Sequence, residues 1–240
     1  AVSRPPLVGA CLDALAVGVD LAGHEATIVG VFGAMLVTRA VETASDAWLA
    51  RLSSASLAAL EPALARADEG FAAAAEPAAS AAFFVLLLEA GVELDAHDLG
   101  MNSRLQAWRH GFSLTSAAQA RALALADAVR AFEEGPTDGE GPVEPWPRRR
   151  ARLERLVALD AEQTAHVAFR DLGDVLEMED ARRAAKAQLR LLRQAVAFRR
   201  GVDVPELADP SGDGPLVVEV EGDRLRGAGV AAGVERTATR

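Results

Sequence analysis

Two stretches of this 240-residue chain place side chains at spacings that suit catalysis or ion binding. Glu162 and His166 stand four residues apart, which brings both to one face of a helix, with Asp160 and Asp171 near in sequence. A carboxylate and an imidazole so placed begin a transition-metal or acid–base site. With a third ligand from another helix they would serve a metal-dependent hydrolase. Neither an HExxH nor an ExxH pair occurs, so the competing reading is an ordinary surface pair. Asp209-Pro210-Ser211-Gly212-Asp213-Gly214 has the oxygen ligands and the glycine that open a calcium loop, with Asp209, Ser211 and Asp213 as candidate ligands. The loop's twelfth position is Val220 rather than Glu, and Pro210 is awkward among the ligands; a plain Asp-Pro/Gly turn is the expected outcome.

Arg148, Arg149, Arg150, Arg152 and Arg155 crowd the start of a helix, where the dipole disfavours positive charge. An anionic ligand, phospholipid head groups or a partner's acidic face would offset them. So would Glu133, Glu134, Asp138, Glu140 and Glu144 just upstream, and a solvated, partly self-paired face is the expectation. The run from Gly227 through Gly229 to Ala232 has the GxGxxA form of a dinucleotide fingerprint. Only eight residues follow it, too few for the phosphate-binding helix and the rest of a βαβ unit. His24, His97 and His110 show no ligand spacing, and the single cysteine, Cys11, has no evident catalytic partner. No catalytic residue and no cofactor is assigned, and the balance favours a non-enzyme.

The elements that would carry these residues are read from composition and periodicity. Half of the residues are apolar, yet 52 are alanine and only eleven are aromatic, with no tyrosine. A core of Leu and Val over small Ala contacts favours closely packed helices. A net charge of −10 argues against nucleic acid as the partner. Of 25 basic residues, 24 are arginine and one, Lys186, is lysine. The most apolar early stretch, 26–41, is interrupted by Gly30, Gly33, Thr38 and Arg39. The run 83–88 is shorter still, so no transmembrane segment is expected within the chain.

Helical spacing predicts a helix over 7–21, one long or two short helices over 24–52, and a helix capped by Ser54 or Ser56 that reaches Ala67 unless Pro62 breaks it. Further helices are expected over about 77–91, 117–134, 148–170 and 174–200. The last carries a stripe of Val175, Met178, Ala185, Leu189, Leu192 and Val196, broken by Arg182, and stops at Gly201. Residues 136–147 hold four prolines and form the clearest loop. They divide an alanine-rich helical region, 1–135, from a second region, 148–240, with one core shared by both as the alternative. Residues 216–220 and 224–226 flank a Gly222-Asp223 turn and predict a β-hairpin, with a frayed end after Gly233. The fold class is therefore mostly α, a multi-helix bundle with a small C-terminal β-hairpin.

The Leu- and Arg-rich helix 181–201, the Val204-Pro205-Glu206-Leu207 link, Asp209-Pro210, Gly214-Pro215-Leu216 and the strand–turn–strand that follows carry a resemblance. Together, over about residues 175–228, they resemble the tail of uncharacterised alanine-rich envelope proteins of planctomycetes and myxobacteria. In that family a helical region precedes a segment similar to the C-terminal part of the major pseudopilin of type II secretion. The resemblance implies an extracytoplasmic protein, membrane-tethered through a segment ahead of Ala1. The expected function is a non-enzymatic scaffold or protein-interaction module with a protein partner. The alternatives are a hydrolase built on Glu162 and His166, and a helical carrier of an apolar ligand.

Overall fold

The computed structural model describes residues 6–22, 27–73, 145–163 and 171–240. It is mostly helical, with a small antiparallel sheet at the C-terminal end. The helices are α1 (Pro6–Ala22), α2 (Thr27–Thr43), α3 (Asp46–Leu49), α4 (Ser54–Ala73), α5 (Trp146–Gln163) and α6 (Asp171–Arg200). The strands are β1 (Val217–Glu221), β2 (Arg224–Ala228) and β3 (Glu235–Thr239), in that spatial order. The helices expected over 77–91 and 117–134, and residues 136–144 of the expected loop, lie outside the described residues; the loop's expected end is corrected, since Trp146 and Pro147 open α5, where a proline fits the first turn. Packing groups residues 1–76 with 178–240 in one compact unit and 77–177 in another.

In the first unit, α1 and α2 form an antiparallel hairpin whose backbones nearly touch. A Cβ on Gly33 would collide with the backbone of Ala22 and stand 2.6 Å from the Gly18 carbonyl oxygen, so only glycine fits there. Cys11 Sγ lies 3.6 Å from the Ala40 carbonyl at the other end of the hairpin. Ser45 caps α3 by accepting the Trp48 N–H. For α4 the cap is Ser53, whose Oγ accepts from Ser56 N at 3.1 Å, rather than Ser54 or Ser56 as expected. A capping residue sits one place before the first helical residue, and that residue is Ser54. Pro62 does not end α4, which continues to Ala73. Ala58, whose carbonyl loses its usual donor to the proline, lies with Pro62 on the exposed face, so the lost bond is not buried in the core.

Helix α6 closes on a Schellman turn. Gly201, at φ 70°, donates to Phe198 O and Val202 donates to Ala197 O. Ala185, Leu189, Leu192 and Val196 of the expected stripe are buried in one core with Val8, Leu15 and Val37 of the hairpin, Leu60, Leu64 and Phe71 of α4, and Leu225 and Ala238 of the sheet. Residues from both sides of the 136–147 loop thus share a core. Ala187 and Leu191 turn to a second, smaller core with Leu216 and Val234. A Cβ on Gly227 of β2 would stand 2.6 Å from Leu191 Cδ2, so the sheet lies close upon α6 at this glycine. The motif glycines 227 and 229 therefore serve packing and a strand end.

The expected hairpin is present, with Gly222 at φ 60° in its turn and Glu221 opposite Arg224. The frayed end expected after Gly233 is corrected: residues 235–239 form β3, paired from Ala228–Glu235 to Arg224–Thr239. One apolar side chain in five residues gave no strand signal. The strand is held by burial of Ala238 and by tertiary hydrogen bonds to Thr239 and Arg240. In the second unit, α5 buries Trp146 and Leu153.

Candidate functional site

Most polar groups of α6 hold other parts of the first unit in place. Arg182, the residue that breaks the apolar stripe, donates from Nη2 to Ala22 O at 2.6 Å and closes the C-terminus of α1. Arg236 of β3 reaches the carbonyl of Ala44 and, at 3.5 Å, that of Val41, closing α2. Arg240 donates from Nε to Phe198 O at 2.9 Å, closing α6, and its guanidinium stacks 4.3 Å from the Phe198 ring centre. Three helix C-termini thus each receive a distant arginine, where the dipole favours positive charge. The return from α6 to β1 is fixed in the same way: Arg183, Arg190 and Gln194 donate to the carbonyls of Pro210, Ala208 and Pro205.

Among the described residues, charge converges between α4 and α6. Asp68, 5% exposed, accepts Arg190 Nε at 2.9 Å on Oδ1 and Arg193 Nη1 at 2.6 Å on Oδ2, while Lys186 Nζ stands 3.9 Å from Oδ1. One turn earlier Arg183 Nε lies 3.4 Å from Glu179 Oε2. Burial, and then the neighbouring Arg190 charge, lowers the Lys186 ammonium to a pKa of about 8, with Asp68 pulling the other way. A second centre forms on Asp46, at the start of α3. Arg199 donates to both its carboxylate and its carbonyl, and Thr239 donates from N and Oγ1 at 3.2 Å each. Burial opposes ionisation of Asp46, yet the Arg199 and Thr239 hydrogen bonds hold its pKa below the ordinary value. Burial lowers Arg236 to about 10 and raises the Cys11 thiol, so the single cysteine is held as a neutral thiol. None of these centres was foreseen from sequence; the one signal was Arg182 interrupting an apolar stripe.

The sequence-nominated residues fare differently. Asp209 is buried, and its two oxygens accept the N–H groups of Ser211 at 2.8 Å and Val230 at 2.6 Å, an Asx turn stapled to the far end of the sheet. Ser211 is also buried, whereas Asp213 is exposed, so the three calcium candidates do not share one environment. Glu162 belongs to the last turn of α5, but its side chain, and His166 entirely, lie outside the described residues. Among the described residues no group of three His, Cys, Asp or Glu side chains could hold a metal ion. Arg150 pairs with Glu154 one turn on, and the acidic residues expected to offset the α5 arginines lie outside the described residues.

Two surfaces complete the first unit. Phe32 (57% exposed), Met35 (56%) and Leu36 (38%) make an apolar strip along α2, continued by an Arg39–Glu42 ion pair at 2.9 Å. A groove of about 370 Å³ runs between α1 and α4, lined by Leu12, Leu15, Val19 and Ala67 with Asp20 and Arg66 at polar positions. No helix among the described residues is long and apolar enough to cross a membrane. Compared with known proteins, the chain matches no family, no curated protein and no solved structure.

Proposed function

We propose that the chain is a non-enzymatic protein-interaction module or scaffold that engages a protein partner through α2. The observation that carries this reading is the strip of Phe32, Met35 and Leu36, three large apolar side chains on adjacent turns and open to solvent. The strip has a rigid backing, because the Gly18–Gly33 approach locks α2 onto α1. Aromatic and methionine side chains on a fixed helix face suit a partner's apolar groove, and the Arg39–Glu42 pair supplies a polar rim. Placement outside the cytoplasm is part of the proposal and rests on the resemblance of residues 175–228 to envelope proteins.

A photo-crosslinking residue at Phe32, introduced into the full chain in cells that make it naturally, tests the reading. A discrete protein adduct is expected at Phe32 and none at exposed Arg224, with loss of the adduct in a Met35→Glu, Leu36→Glu background. Equal labelling at both positions, or none, would reject it. The α1–α4 groove favours a second reading, a carrier of an apolar ligand, since its volume falls within the range of small-molecule sites. Native mass spectrometry that finds only the bare chain would count against that alternative.

A further inference from the structure

One lysine stands among 24 arginines, and it lies within the Asp68 cluster. Both Asp68 oxygens already accept arginine N–H groups. Lys186 Nζ, 3.9 Å away, is beyond hydrogen-bond length and donates to no group among the described residues. Around Asp68 the ion pairs bring three cations, Lys186, Arg190 and Arg193, to one carboxylate. Arg193 Nε is buried with no acceptor. Among the described residues the cluster therefore combines a lysine nitrogen that makes an ion pair but no hydrogen bond, a spare N–H donor and more positive than negative charge. The group such a cluster would hold is an anion. Lysine differs from arginine in one relevant respect: it can lose its proton and become a nucleophile.

We propose that Lys186 Nζ takes up carbon dioxide and is carried as a carbamate within the Asp68 cluster. The amine lone pair forms an N–C bond to the carbon of CO2, one C=O π pair moves onto oxygen, and the displaced N–H proton goes to water. Counting the proton that the ammonium first gives to water, two protons leave and a cation is replaced by an anion, so that Arg190 and Arg193 face two anions. Carbon dioxide fits the approach because it is small and uncharged, and the Lys186 side chain retains only 10% of its exposure. A pKa of about 8 supplies neutral amine near neutral pH.

Because the chain has one lysine, [15N]lysine labels a single side chain. Full-length labelled protein under 13CO2 at pH 8 is expected to show a carbonyl carbon resonance coupled to 15N, lost on unfolding and absent in Lys186→Arg. The thermal midpoint of the wild type should also rise under CO2 relative to nitrogen at matched pH and ionic strength, with no shift in the variant. A folded wild-type sample showing only dissolved CO2 and bicarbonate resonances would overturn the proposal. So would a coupled signal no stronger in the native than in the unfolded chain.

Discussion

The α1–α2 hairpin and the α6–sheet region solve the same problem, fixing one element against another, by opposite means. The hairpin uses what its side chains lack: at Gly18 and Gly33 the backbones meet where any Cβ would collide. The α6 region uses long, charged side chains, with Arg182, Arg236 and Arg240 reaching carbonyls at the ends of three helices and two more arginines converging on Asp68. Apolar contact over small residues is strong but tolerant of sliding, whereas a guanidinium aimed at a helix end fixes rotation and register. An alanine-rich core supplies little shape of its own, and the arginines supply the missing specificity. The division also leaves α2 free to expose Phe32 and Met35, because its inner face and its C-terminal end secure it.

The largest effect should come from removing the acceptor rather than any one donor. Asp68→Ala strands two arginines and a lysine in a buried site and is expected to cost about 3–5 kcal/mol in urea unfolding. A cost below that of a single arginine variant would mean that the cluster is solvated and the comparison wrong. Next, Gly33→Val tests the hairpin. The added atoms meet backbone that cannot swing aside, and a loss of about 1–3 kcal/mol is expected in the same measurement, with the sheet's contacts to α6 at Gly227 intact by hydrogen exchange. Arg236→Met keeps the buried stem but leaves the Ala44 and Val41 carbonyls without their donor. A cost of about 1–2 kcal/mol is expected, with early loss of protection in β3.

Much of this architecture could be read from the residues in order. Periodicity located α1, α4 and α6 because each buries a continuous apolar face, and Gly201 and Gly222 marked ends whose positive φ leaves little choice of residue. The hairpin turn followed from Gly222-Asp223. Beyond those, the reading failed where stability is tertiary. Strand β3 has one buried alanine, and its order comes from Asp46, nearly two hundred residues away in sequence. Asp68 looks like any other exposed acid on a helix until α6 brings two arginines to it. Local pattern records which face is apolar; it does not record which distant carbonyl an arginine will find. The nominated calcium ligands show the reverse case, since Asp209 was the right residue to notice, while its oxygens close a turn.

The smallest effect, and the finest test of the contrast, belongs to Lys186. Its folded pKa of about 8 lies below the ordinary lysine value of 10.5, so between these values the unfolded chain binds more protons than the native one. Stability therefore rises with pH across that interval, and the full cost of burying the ammonium is present below pH 8. Lys186→Met removes the charge while keeping a flexible apolar stem, and leaves Asp68 with both of its arginine partners. In buffers purged of carbon dioxide the variant is expected to be more stable than the wild type by about 1 kcal/mol at pH 7, after allowance for residual solvation. The advantage should shrink from pH 8 upward and vanish near pH 10.5 in urea midpoints taken at each pH. A variant less stable than wild type at pH 7 would show the ammonium to be a working member of the Asp68 cluster, and the region would then owe its specificity to all three cations on Asp68 rather than to guanidinium geometry.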